Sequence, residues 1–493
     1  MKINLLAFKR NFSTAAAFFI LSICASQCFA QSSAASTRTD NFLYLKKLNS
    51  IFDFVVQNYV DEVDPKVLYE GAMKGMMDSL GDPYTSYLDE ATMRDLSDTT
   101  MGSFGGVGLS ISKPTESKPD KPAYVEVASP IEDTPGAKAG ILAGDYITEI
   151  DGESTVEMTM QDVLNHLRGE VGKPVKVTIL RGKNLKFTVE LVREMIEVPT
   201  VKYGMIGNTG YMRLIQFTPE TPVRVQDALD SFKANPDFKN LIIDLRDNPG
   251  GLITSAVEIA DKFIDEGPVV TTKSRLDFEN AVYSANPKKT VVKNIPIVIL
   301  INQGSASASE IVSGALKDNH LAYLIGVRTY GKGSVQQVIP LSKFEEIKMT
   351  VARYYTPSDT NIDKIGIPPD LEVAYPKLTE EDEKAYSALI DANIIGPYVE
   401  EHPGMTEEDI AEYAVELKKS YNLELRLLRR LIRIQVNRTK PTALYDLDYD
   451  IQLNAALDFL KNTKDFSSVV KTTKTLKELQ IESEKQKSEE KAE

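Results

Sequence analysis

Residues 302–311 read NQGSASASEI, directly after IPIVILI at 295–301. The apolar, β-branched run has the length and content of a buried strand. Small residues then make a tight turn, and a helix is expected from about Ala308, with Glu310 in its first turn. A serine at such a junction has its hydroxyl exposed. The N–H groups of the helix start point at whatever anion forms beside it. A plain helix cap has the same pattern, so this stretch alone does not name a reaction.

Residues 329–336, TYGKGSVQ, place Lys332 between two glycines on a turn that leads into a strand. Glycine permits close backbone approach, which lets an amine be buried against another segment. In isolation the same residues read as a surface turn. Without histidine, a serine can still be activated by a neutral lysine. Keeping an amine of ordinary pKa ~10.4 neutral near pH 7 requires about 4 kcal/mol of burial. The three histidines, His166, His320 and His402, have no carboxylate at metal-ligand spacing, and HExxH is absent. Neither a metal nor a cofactor is expected. A Ser-His-Asp triad assembles from distant residues, so spacing does not exclude it, but no segment points to one.

Strands and helices alternate through 196–375, where the apolar run at 240–245 enters a glycine turn just as 295–301 does. That order reads as an α/β layer around a buried sheet. Residues 100–195 are different: small, strand-rich, with one helix. FGGVGLSI at 104–111 is a glycine-rich turn running into an alternating strand, Asp151-Gly152 is a hairpin turn, and Thr159 caps a helix carrying Val163, Leu164 and Leu167 on one face.

Residues 31–99 form an N-terminal helical region. After a disordered leader at 31–40, Leu45, Leu48, Phe52, Val55 and Tyr59 share a helical face, and Asp64-Pro65 start a second helix. Two such helices cannot bury their apolar faces alone. Residues 376–481 are again helical, with caps at Thr379 and Thr406, and 482–493 read as a charged, disordered tail. Arg426, Arg429, Arg430 and Arg433 form a basic stripe, either paired with this protein's acids or offered to a partner or anionic lipid.

The first thirty residues have the grammar of a signal peptide: Lys2, Lys9 and Arg10, an apolar stretch to about residue 25, then Cys28-Phe29-Ala30. Cleavage there would remove both cysteines, Cys24 and Cys28, and leave an exported protein of the periplasm or cell envelope without disulfides. Retained uncleaved, the same segment would tie the protein to a membrane. The formal charge of −14 becomes −17 without the leader's three basic residues, a surface that repels nucleic acid.

Taken together, SASASE, the 25-residue step from Ser307 to Lys332, DLRDNPGGL at 244–252, YYTP at 354–357 and GIPPD at 366–370 resemble the carboxyl-terminal processing peptidases, also called tail-specific proteases. The module at 100–195 resembles their PDZ domain through 136–151. The resemblance covers roughly 42–375 and implies an α+β, α/β multidomain chain: N-terminal helices, a β-rich PDZ-like domain, a crotonase-like α/β serine protease core and a helical C-terminal extension.

By that resemblance Ser307 is the nucleophile, Lys332 the general base and Gln336 the residue that orients the lysine. The amides of Gly251 and Ala308 form the oxyanion hole. Glu310 and Arg246 are motif residues expected to cap or to pair charge. The turn of Gly106, Val107 and Gly108 would present amides to a substrate C-terminus. The tail would add as a strand beside Leu109 and Ile111, facing Val163, Leu164 and Leu167. On the residues alone, those apolar side chains serve equally as the module's core. The implied partners are protein substrates with unstructured, apolar C-termini; a homodimer and an adaptor protein also fit. The rival function is a non-catalytic PDZ adaptor or holdase for envelope-protein tails. Two departures stand out: Pro249 in the oxyanion segment, and Ser358-Asp359-Thr360, which lacks the glycine common after YYTP.

Overall fold

A computed structural model describes residues 34–490 except 115–116, 118–121, 132, 183 and 439–442. The expected signal segment lies outside the described residues. The chain divides into one unit ending at Asp89 and a second beginning at Glu90. The N-terminal region therefore stops earlier than residue 99, and the helix Glu90–Met101 belongs to the second unit.

In the first unit, the helix Ala34–Asn58 begins inside the stretch expected to be a disordered leader. Asp64 caps the helix Pro65–Asp78 by accepting from the Lys66 amide at 2.8 Å, with Pro65 supplying the preset φ of the first turn. Leu45, Leu48 and Tyr59 remain exposed, as expected of a pair too small to cover its own apolar face. Among the described residues, no helix is long and apolar enough to cross a membrane.

The PDZ-like module is an antiparallel sheet ordered Leu109–Ser112, Val125–Pro130, Tyr146–Ile150, Pro174–Arg181, Leu185–Val192. Asp151 and Gly152 both take positive φ, 51° and 89°, the geometry of the tight hairpin their sequence signals. Thr159 and Asp162 form a reciprocal capping box on the helix Met160–Leu167. Alternate residues Val125, Val127, Ile147, Val175, Val177 and Ile179 fill the core. A two-stranded ribbon, Ser103–Gly106 against Glu194–Glu197, carries the chain into and out of the module.

The α/β core is a six-stranded sheet ordered Val201–Ile206, Thr209–Leu214, Asn240–Asp244, Ile297–Ile301, Tyr323–Gly326, Leu371–Glu372. The first pair is antiparallel and the rest are parallel. Its central strands are apolar at nearly every position because both faces are covered. Leu241, Ile243, Ile297, Ile299 and Ile301 pack with the helices Thr221–Ala234, Ile253–Ala260 and Ala308–Asp318. Ile242, Val298 and Leu300 pack on Leu453, Ala456 and Leu460 of the helix Ile451–Asn462. A separate antiparallel sheet joins Pro268–Lys273, Ala281–Ser284, Ser334–Pro340 and Glu346–Tyr355.

The division at 375/376 therefore fails for the end of the chain. Residues 389–432 make their own helical cluster, capped at Thr379 and Thr406 as expected. The helix Ile451–Asn462 is instead the second cover of the six-stranded sheet, a tertiary pairing that local periodicity does not report. The expected disordered tail at 482–493 is also corrected, because the helix Leu476–Glu490 runs through most of it. Glu, Lys and Gln are strong helix formers, and the Gln480–Glu484 bond at 2.9 Å adds local support one turn apart. Of the arginine stripe, Arg433 pairs with Glu407, Asp446 and Asp448, Arg429 with Glu407 and Asp448, and Arg426 and Arg430 lie over the Tyr449 ring. The stripe is spent on the protein's own acids and ring.

Leu476 is buried in the core beside Gly314 of the helix Ala308–Asp318, and its amide donates to Asp318 at 2.8 Å. Leu476→Ala should cost about 2–5 kcal/mol by cavity formation. Urea denaturation with an unchanged slope would measure that loss.

Candidate active site

Ser307 ends the turn after the strand Ile297–Ile301 and precedes the first residue of the helix Ala308–Asp318. Its backbone sits at φ 55° and ψ −113°, a region that costs a non-glycine residue about 1–3 kcal/mol. A strand-to-helix turn this sharp lifts the side chain off the sheet edge at the end of a parallel strand. What holds it there is Glu310. Its carboxylate accepts from the Ser307 amide at 2.8 Å, the Lys332 amide at 2.9 Å, the Gly331 amide at 2.7 Å and the Thr329 hydroxyl at 2.6 Å. One buried carboxylate thus ties the serine turn to the lysine turn.

Tyr354, fully buried, closes the same junction from the antiparallel sheet. Its hydroxyl lies 3.2 Å from the carbonyl of Ser307 and also bonds the carbonyl of Lys332. Lys332 is half-buried. Gln336 lies on the strand that leaves the turn, where its amide nitrogen donates to Ser334 Oγ at 2.9 Å and Thr350 Oγ1 at 3.2 Å. Its carbonyl oxygen is the end left to accept.

The third wall is the 246–251 segment. Asn248 is fully buried, donates to the Leu214 carbonyl at 2.9 Å and accepts from the Gly250 amide at 2.9 Å. Its own carbonyl accepts from the Ala306 amide at 3.0 Å and the Ser309 hydroxyl at 2.9 Å. Gly250 lies against the Ser307 turn: a Cβ there would sit 2.8 Å from Ser307 Cβ and 2.9 Å from the Ala308 nitrogen. At Gly251 a Cβ would meet the Phe217 carbonyl at 2.1 Å. The amides of Gly251 and Ala308 donate to no other group among the described residues. Pro249 is accommodated, since the bonds that fix the turn come from Asn248 and Gly250. Asp359 adopts φ 60°, so an aspartate takes the left-handed position where glycine was missed.

The structure brings Ser307, Lys332, Ala308 and the Gly250-Gly251 turn together, with Gln336 on the adjoining strand. The expectation for Glu310 and Arg246 is borne out: one caps, the other pairs charge. Tyr354 and Thr329 were named only as members of motifs, because a hydroxyl's target is invisible until the chain folds. The histidines lie elsewhere: His320 faces the Val470 carbonyl, and His402 stacks on Tyr398. Among the described residues, no cluster of three or more His, Cys, Asp or Glu could hold a metal ion.

In the PDZ-like module, Val107, Val163 and Leu167 belong to the core, so their side chains are not a groove lining. Leu109, Ile111 and Leu164 are half-buried, and Leu109–Ser112 is the sheet's edge strand. The amides of Val107 and Gly108 donate to no other described residue. The Gly108 φ of 72° is one that its missing side chain allows.

Residues 208–373 match peptidase family S41, residues 126–181 match a PDZ domain, and residues 13–92 match the N-terminal domain of the activating protease CtpB. A carboxy-terminal-processing protease of Bartonella bacilliformis is 40% identical over 352 residues, covering 70% of this chain and 79% of that protein. A probable CtpA-like serine protease of Staphylococcus epidermidis is 32% identical over 375 residues, covering 76% and 72%. The solved structure of a photosystem II D1 C-terminal processing protease has 30% identity and a TM-score of 0.40, covering 66% of this chain and 91% of that one. The fold and the site define a peptidase that carries a PDZ domain. The chain belongs to the carboxy-terminal-processing proteases of family S41.

Burial pushes the Glu310 carboxyl above its ordinary value, against the opposing pull of its four donors. A carboxyl raised on folding binds more protons native than unfolded. Its contribution to stability is complete below the ordinary 4.5 and is lost as pH rises through the raised value. Glu310→Gln should flatten that part of the stability–pH curve. It also sets an NH2 against N–H donors, for a loss of about 2–4 kcal/mol. Thermal denaturation across pH 4–8 measures both.

Proposed function

We propose that this chain is a serine endopeptidase that cleaves proteins at or near their C-terminal tails with a Ser307–Lys332 dyad. The observation that carries this reading is the shared Glu310 carboxylate, which couples the strained Ser307 turn to the Lys332 turn. In the reaction, Ser307 Oγ attacks the scissile carbonyl while its proton passes to the neutral Lys332 amine. The amides of Gly251 and Ala308 receive the oxyanion, each such donor being worth about 3–4 kcal/mol. Lys332 then returns the proton to the leaving amine, the C–N bond breaks, and water hydrolyses the acyl-enzyme by the same route in reverse. Gln336, with its nitrogen engaged by two hydroxyls, accepts from the lysine and orients it.

The PDZ domain takes the free carboxylate of an unstructured, apolar tail on the Val107 and Gly108 amides. The tail adds as a strand beside Leu109–Ser112, and the domain gates access to the dyad. Side-chain selection falls to Leu109, Ile111 and Leu164, since Val163 and Leu167 are core. The protein acts in the cell envelope after export, on protein substrates, as a homodimer or with an adaptor.

Ser307→Ala and Lys332→Ala should each lower cleavage of a flexible, apolar-tailed protein by at least about 10³-fold. A chelator should leave the wild type unchanged. A wild type that binds such tails without cutting them would instead favour an adaptor or holdase. Gly251→Ala, which drives a methyl into the Phe217 carbonyl, should lower kcat by about 10²–10³. Steady-state kinetics on the folded variant checks it.

A further inference from the structure

The oxyanion segment is fixed from the inside by groups close to it in the core, with one exception. Arg246 is nearly buried, and all five of its guanidinium N–H groups are used. Two go to Asp244, at 2.9 and 2.6 Å, and two to Asp450, at 2.7 and 2.6 Å. The fifth goes to Gln452 at 3.1 Å. Asp450 and Gln452 start the helix Ile451–Asn462, about two hundred residues further along the chain. Asp450 also caps that helix by accepting from the Leu453 amide at 2.9 Å, and Gln452 donates to the Val373 carbonyl at 2.7 Å. Tyr211 donates to Asp244 at 2.7 Å and Tyr375 to Asp450 at 3.1 Å.

This is more apparatus than charge pairing needs. Burial alone would lower the pKa of Arg246 and raise that of Asp450, yet Asp244 first and then Asp450 hold the guanidinium charged, and Arg246 holds Asp450 ionised. Burial and the Asp450 charge push the Tyr375 hydroxyl up to about 12, so it remains a donor. A buried cation with two carboxylates and two tyrosines is rigid in both position and plane, because a bidentate fork admits one geometry on each side. Arg246 is followed at once by Asp247, Asn248, Pro249 and the Gly250-Gly251 turn. The clasp on Arg246 thus fixes the near end of the segment that carries the Gly251 amide, while Asn248 and Gly250 fix its far end.

We infer that Asp450, acting through Arg246, is a positioning residue of the peptidase reaction, so that the C-terminal segment is a working part of the catalytic assembly. Asp450 touches no reacting atom; it sets the plane of Arg246 and hence the aim of the Gly251 amide. The inference rests on Gly251 being an oxyanion donor and deepens that reading.

The test uses the full chain, a flexible protein with an apolar tail as substrate, and a peptide aldehyde that forms a tetrahedral adduct with the nucleophile. The matching peptide alcohol, which forms no adduct, reports binding alone. Asp450→Ala should lower kcat by about 10–100-fold with KM within about twofold. It should weaken the aldehyde by the same factor and leave the alcohol's affinity unchanged. Asp450→Asn should recover part of the loss, and Tyr375→Phe should lower kcat by about 2–5-fold. If Asp450→Ala does not fold, the other two variants carry the same comparison. A normal kcat, or a loss of thermal stability with aldehyde affinity intact, would overturn the inference, as would a loss confined to KM. Ser307→Ala is run beside them. If it still cleaves, the dyad reading falls by itself, whatever the Asp450 variants do.

Discussion

The Glu310 carboxylate accepts from Ser307, Gly331, Lys332 and Thr329, and the geometry of the site depends on it. With the Tyr330 amide on the Ser305 carbonyl and the Tyr354 hydroxyl between the two turns, it makes turns separated by a helix and a strand meet at hydrogen-bond precision. A buried carboxylate is costly, and only a full set of donors keeps it in place. Here three of the four donors are backbone amides, so what it fixes is main chain rather than rotamers. The strained Ser307 backbone persists because its amide is held on one side and its carbonyl, by Tyr354, on the other.

A second constraint acts on the sheet. Its central strands are apolar at nearly every position, so each face must be covered by something. One cover comes from helices interleaved with the strands. The other comes from residues 451–462, which reach the sheet only after the chain has built a separate helical cluster. The catalytic core is closed by its own distant end. Arg246 stands where that end meets the 246–251 segment, and Leu476 where it meets the helix Ala308–Asp318.

Much of this was legible in advance. Strands before glycine and serine turns, the hairpin at Asp151-Gly152 and the caps at Asp64, Thr159, Thr379 and Thr406 depend on neighbours a few residues away, and all were found where expected. The errors have the opposite character. Val163 and Leu167 carry the periodicity of a groove or of a core alike, and burial assigned them to the core. The stretch from 482 has the charge of a disordered tail and the intrinsic propensity of a helix, and propensity prevailed. Asp359 lacked glycine's freedom yet took a left-handed φ, which short polar residues tolerate.

The linear chain alone determined which residues are chemically capable and which turns would present them: a serine at a strand-to-helix junction, a lysine flanked by glycines, and a glycine pair after a buried strand. It also determined that most elements would form, since caps, turns and periodicity are local. Only the tertiary structure decided that Glu310 would bridge the serine and lysine turns, that Tyr354 would close them, and that Asp450 would clasp Arg246. The reason is that hydrogen bonds at such range depend on where two backbones pass in space, and the spacing of residues along a chain carries no record of that.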